Sequence, residues 1–204
     1  MTKSFVFNKK KPEETPVDIK CEFSGFVDQP MFKYADYDFV YKRSIPLVKA
    51  ILDSCPRSSS YKHTLVDIKL HSLDKGECPC LFGWHLDGHP NPWHYEVPAL
   101  YHLFLIGPMH SRTLFLKHPT ELDVLDSEDP KKISEHYCRQ LADMKPDYYH
   151  APENTWVTFT SEDFHSGPVF NKPANRVLLR VAETNWIVPR NKEVKESFKQ
   201  KVGI

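Results

Sequence analysis

Asn175-Arg-Val-Leu-Leu-Arg-Val-Ala-Glu183 is the stretch on which the fold turns. Side chains of an extended chain alternate between two faces. Period two therefore puts Arg176, Leu178, Arg180 and Ala182 on one side and Val177, Leu179 and Val181 on the other. The second side reads as a core face. The first carries two arginines, which are unusual in a core and ordinary on the wall of a polar cavity. Comparable runs come earlier. Thr155-Trp-Val-Thr-Phe-Thr160 alternates, and Thr64-Leu-Val-Asp-Ile-Lys-Leu-His71 alternates loosely. Ala99-Leu-Tyr-His-Leu-Phe-Leu-Ile106 is apolar between Pro98 and Gly107, and Arg112-Thr-Leu-Phe-Leu-Lys117 follows. Short strands separated by Pro and Gly turns, with 17 prolines in the chain, predict a sandwich or barrel. Nothing resembles a βαβ repeat with a glycine-rich phosphate loop.

Helices are expected outside that barrel, giving a mainly β class with flanking helices. Leu47, Val48, Ile51 and Leu52 form a helical stripe over Pro46 to Ser54, stopped by Pro56. Asp129 is a helix cap with Pro130 at the first helical position, and Ile133, Tyr137 and Leu141 share one face up to about Met144. Lys192 to Lys201 is a third, short helix candidate. Residues 1–20 read as a flexible arm or a peripheral strand, and the acidic run from Glu121 to Asp129 as a solvated loop. The length favours a single domain, 1–204, with its barrel core over residues 64–190.

The 204 residues carry 27 basic and 27 acidic side chains. That balance argues against a chain devoted to gripping phosphate backbones, which needs excess Lys and Arg. A small-molecule or single-residue substrate is expected rather than an extended nucleic acid. Five irregularly spaced cysteines do not make a disulfide framework, so a reducing, cytoplasmic setting is expected. Cys78 and Cys80 read as filling space near the barrel end. No run approaches the roughly 18 apolar residues of a membrane span. MTKSFVFNKKKPEETP lacks the apolar core of a secretory signal. Oligomeric state is not legible.

Eleven histidines are the outstanding feature. His85-Leu-Asp87 projects an imidazole and a carboxylate to one face of an extended chain, where both reach one metal ion. His94-Tyr-Glu96 offers the same geometry in a proline-rich loop. Downstream, Phe159-Thr-Ser-Glu-Asp-Phe-His-Ser-Gly-Pro168 puts His165 in a turn after an alternating strand. Arg176 follows eleven residues later and Arg180 four after that. A guanidinium fork suits a carboxylate.

The order His85-x-Asp87, His165, Arg176 resembles the iron(II)- and 2-oxoglutarate-dependent dioxygenases, over roughly residues 64–190. The resemblance implies a double-stranded β-helix, a jelly-roll or cupin-like barrel. It implies His85, Asp87 and His165 as the iron ligands and catalytic centre. Arg176 would pair with the far carboxylate of 2-oxoglutarate, with Arg180 the fallback or a substrate contact. Tyr101 or His102, which point to opposite faces of one strand, could reach the co-substrate. Lys69 and His71 carry a weaker version of that role. With Fe(II), 2-oxoglutarate and O2, the activity implied is oxidative decarboxylation to succinate coupled to hydroxylation or demethylation of an unidentified substrate. Trp84, Trp93 and Tyr95 read equally as packing or as a stacking surface. Two alternatives stay open: a cupin-type metal enzyme that does not use 2-oxoglutarate, and a non-enzymatic jelly-roll binding module.

Overall fold

A computed structural model describes residues 3–80, 83–97 and 99–202. In chain order the elements are β1 (Lys3–Phe7), β2 (Glu13–Pro16), β3 (Met31–Asp36), α1 (Tyr37–Arg43), α2 (Pro46–Asp53), β4 (His63–Leu73) and β5 (Glu77–Cys78). Next come β6 (Leu100–Ile106), β7 (Leu114–Leu116), β8 (Thr120–Val124), α3 (Pro130–Met144), β9 (Tyr148–His150) and β10 (Thr155–Thr160). The chain closes with β11 (His165–Ser166), β12 (Ala174–Thr184), β13 (Glu193–Val194) and β14 (Gln200–Lys201). Pro98, the expected boundary before β6, lies outside the described residues.

Seven strands form one antiparallel sheet in the order β13-β3-β4-β12-β6-β10-β2. A smaller sheet, β11-β7-β9, is extended by a bridge from His85 to His165. The two are linked through the packing of Phe115 on Phe159, with ring centroids 5.2 Å apart. The edge strands of the large sheet do not pair with each other, so the sheet stays open. The fold is mainly β with three α-helices among the described residues.

Period two decides what each face buries. Val66, Ile68, Phe104, Trp156, Val177, Leu179 and Val181 point out of the large sheet. They pack under Val40 of α1 and Val48, Ile51 and Leu52 of α2. Burying each of the α2 side chains stabilises by roughly 1.5–3 kcal/mol. The opposite face holds Leu65, Tyr101, Leu103, Val157, Phe159 and Ala182. A third cluster seats Ile133, Tyr137 and Leu141 of α3 on Phe7, Leu122 and Val124.

The caps work as their residues dictate. The Asp129 carboxylate accepts from the Lys131 N–H at 2.9 Å, and Pro130 opens α3 without losing a donor. Helix α1 was not legible. Its seven residues are too few for a stripe, and it is nucleated by Asp36, whose carboxylate accepts from Asp38 and Phe39 N–H.

Two expectations are corrected. Residues 192–201 are not a helix. They carry no apolar stripe to bury, and instead β13 pairs with β3 and β14 with β5. The start of the acidic run is not a loop. In β8, Thr120, Leu122 and Val124 are buried while Glu121 and Asp123 are exposed, and the strand pairs with β1. The alternation was present but masked by the acid count. The N-terminal segment forms peripheral strands, β1 and β2. No helix among the described residues is long and apolar enough to cross a membrane.

Candidate metal centre

His85 and His165 face each other across a narrow antiparallel pair. The His85 N–H donates to the His165 carbonyl at 2.9 Å, and the His165 N–H returns a bond to the His85 carbonyl at 3.0 Å. Asp87 lies two residues on, so its carboxylate comes to the same side as the His85 ring. One ligand atom from each of His85, Asp87 and His165 lies within 4.8 Å of the other two. The sequence named all three, and the structure brings them together. Gly88 follows with φ +87°, and a Cβ there would lie 2.9 Å from the Tyr101 hydroxyl. The turn after Asp87 therefore needs glycine on both counts.

Backbone carbonyls fix the tautomers. His85 Nδ1 is 3.0 Å from the Gly83 carbonyl, and His165 Nδ1 is 3.1 Å from the Asp163 carbonyl. A carbonyl only accepts, so each Nδ1 carries the hydrogen and each Nε2 keeps its lone pair for a metal. Burial, helped by His85, pushes the His165 imidazole down to about 4. The ring is therefore neutral at physiological pH, as a ligand must be. Burial alone would raise Asp87. Arg180 and the two imidazoles outweigh it and hold the carboxyl well below its usual range.

The two arginines of β12 have different surroundings. Arg180 donates to Asp67 through Nε at 3.0 Å and also through a terminal nitrogen. Its other terminal nitrogen reaches Asp87 at 2.6 Å. Both carboxylates raise the guanidinium against the opposing effect of burial. Arg180 is thus engaged with both Asp67 and Asp87. Arg176 is 3 % exposed and has no carboxylate partner among the described residues. It donates to the Ser111 carbonyl at 2.9 Å and to the Thr113 hydroxyl at 3.3 Å, while its Nε–H has no partner among the described residues. Burial pushes it down to about 10, still cationic at neutral pH.

A cavity of about 60 Å³ joins these groups, walled by His85, Asp87, His165, Arg176, Arg180 and Lys69 among others. That is space for a few waters or a compact polar ligand. Tyr101 turns inward, its ring 5.9 Å from the Arg180 guanidinium carbon. His102 turns outward and is corrected as a site candidate. Its ring is fully buried between the Thr158 hydroxyl and the Glu183 carboxylate, each 2.9 Å away. His94 and Glu96 do not join the group. His94 stacks on His89 with centroids 3.6 Å apart.

Asp67, Ser111 and Thr113 were missed. Only Asp67 left a signal: with Lys69 and His71 it makes a polar period-two series on an otherwise apolar strand. Cys80 lies on the cavity wall rather than merely filling the barrel end. Comparison with family models, curated proteins and solved structures finds no match.

Proposed function

We propose that this chain is an iron(II)- and 2-oxoglutarate-dependent oxygenase on a double-stranded β-helix. The path of the chain supports the fold. From β4 onward it visits the large sheet, the His85 bridge, β6 in the large sheet, β7 and β9 in the small one, then β10, β11 and β12. The core of the large sheet is then β4-β12-β6-β10 and that of the small one is His85-β11-β7-β9, the alternation of a two-sheet jelly roll.

Two imidazoles and one carboxylate on one side of an ion leave several coordination positions open, the donor set that suits non-haem iron(II). Iron(II) there would supply oxygen activation, with 2-oxoglutarate furnishing two electrons and leaving as succinate and carbon dioxide. Around it the chain has three jobs. Asp67 holds Arg180, and Arg180 holds one oxygen of Asp87, which orients the carboxylate and keeps it ionised. The Gly83 and Asp163 carbonyls set the imidazole tautomers. Arg176 offers its unpartnered Nε–H to the distal carboxylate of the co-substrate.

The observation that carries the reading is Arg176. A buried cation without a counter-ion is costly, and this one lines the same cavity as the His–Asp–His group. A dianionic co-substrate resolves both, one end at the metal and the other at Arg176.

The test is calorimetry of 2-oxoglutarate on anaerobic, iron-loaded protein, followed by succinate release in air. Binding and turnover are expected, and His165→Ala should lose stoichiometric iron. Metal binding without 2-oxoglutarate binding would replace the reading with a cupin-type metal enzyme. No stoichiometric metal at all would leave a binding module.

A further inference from the structure

Beside the metal pocket lies a second cavity of about 470 Å³, between β3, β4 and the segment joining β13 to β14. Its size falls within the roughly 300–1,000 Å³ of small-molecule sites. Met31, Phe32 and Phe198 give it apolar walls, and Lys33, Lys69 and Lys199 line it with Glu196 as the one acidic side chain. Lys69 lines this cavity and the metal pocket as well.

The lysines are not equivalent. Lys199 is paired with Glu77 at 3.0 Å. Lys33 rests over the Tyr34 ring at 5.8 Å. Lys69, half-buried, makes no hydrogen bond and no ion pair among the described residues. The acidic groups whose charge acts on it, Asp67 and Asp87, are engaged by Arg180. Burial and the Arg180 charge lower the Lys69 ammonium and outweigh Asp67 and Asp87, which raise it. Beside it on the same face, His71 is 3 % exposed. Neither of its ring nitrogens makes a hydrogen bond of ordinary geometry, although the Phe198 backbone lies alongside. With mainly apolar walls, and three lysines against only Glu196 on the wall and Glu77 behind Lys199, the cavity is one negative charge short and suits a ligand with an apolar body and a single negative charge. A doubly charged phosphate would leave one charge unbalanced.

We infer that this second cavity receives the substrate, and that the substrate is a small monocarboxylate with an apolar body, its carboxylate held by Lys69 at the wall shared with the metal pocket. That this ligand is the substrate rests on the oxygenase reading. That the cavity binds a monocarboxylate does not.

The experiment is calorimetry with 4-phenylbutyrate and its neutral amide, 4-phenylbutanamide, on metal-loaded protein with and without 2-oxoglutarate. The acid should bind about tenfold more tightly than the amide, the equivalent of about 1.4 kcal/mol. Lys69→Met should erase that preference and Lys69→Arg should keep it. In air, 4-phenylbutyrate should raise succinate release by the wild type. Equal binding of acid and amide, or no binding of either, overturns the inference. So does a tenfold or greater loss of 2-oxoglutarate affinity in Lys69→Met, which would assign the lysine to the co-substrate. A Lys69-dependent preference for the acid without any 2-oxoglutarate binding would uphold the monocarboxylate site and remove the oxygenase reading.

Discussion

The two faces of β12 are built from the same eleven residues and behave as different materials. Outward, Val177, Leu179 and Val181 are completely buried in a dry cluster with Phe104 and Trp156. Inward, Arg176 and Arg180 stand four residues apart in contrasting surroundings. Arg180 sits between two carboxylates, whereas Arg176 hydrogen-bonds only a carbonyl and a hydroxyl among the described residues. Burial near charge therefore does two jobs on one strand. Where counter-ions are built in, it fixes a side chain. Where they are left out, the proposed function has it reserve a place for an anion.

The comparison is broken most severely from outside. Trp156 is fully buried, with its indole N–H donating to the Ser54 hydroxyl at 3.1 Å. Trp156→Ala should cost about 3–5 kcal/mol in urea unfolding. Iron stoichiometry of the remaining folded protein should stay at the wild-type value, because the metal group lies on the other face.

Arg176→Leu tests the unpaired side. A lost charge-assisted bond is worth roughly 1.5–3 kcal/mol, so 2-oxoglutarate affinity should drop by at least about tenfold. Stability of the ligand-free protein should hold or rise, since an uncompensated buried cation is removed. A large drop in ligand-free stability would show that Arg176 is a structural residue.

Asp67→Asn tests the paired side. The isosteric amide still accepts from the Tyr34 N–H but takes away one of the two charges on Arg180. Residues behind a metal ligand typically contribute ten- to hundredfold in metal affinity. A loss of about tenfold in iron affinity is expected, read by competition with a chelator.

The smallest effect is in acid. Burial, with Arg176 and Lys69 nearby, lowers His71 from 6.5 to about 3. Below about 6.5 the unfolded chain takes up a proton that the buried ring refuses. Stability from this residue is therefore full above that pH and falls as pH drops toward about 3. His165 adds the same sign down to about 4. In wild-type protein the His71 share should amount to about 1 kcal/mol between about pH 7 and pH 5.5. His71→Leu should flatten the urea-unfolding profile by that amount.

Much of this was readable in the chain itself. The faces of β12, the stripes of α2 and α3, and the shared side of His85 and Asp87 all follow from local periodicity, whereas the inclusion of His165 was implied by the family resemblance. A period is a property of neighbouring residues and survives without knowledge of the fold. The 192–201 segment and β8 were misread because their structure depends on partner strands far along the chain. His102 and Tyr101 were an undecided pair because alternation shows that two residues oppose each other without showing which of them is inside.

The division is sharpest at the two arginines. Their shared face is determined by the sequence alone. Which of them is satisfied and which is left waiting was decided by tertiary structure, because the carboxylates of Asp87 and Asp67 lie 93 and 113 residues away from Arg180. Electrostatic compensation depends on distance in space, and only the folded sheet sets that distance.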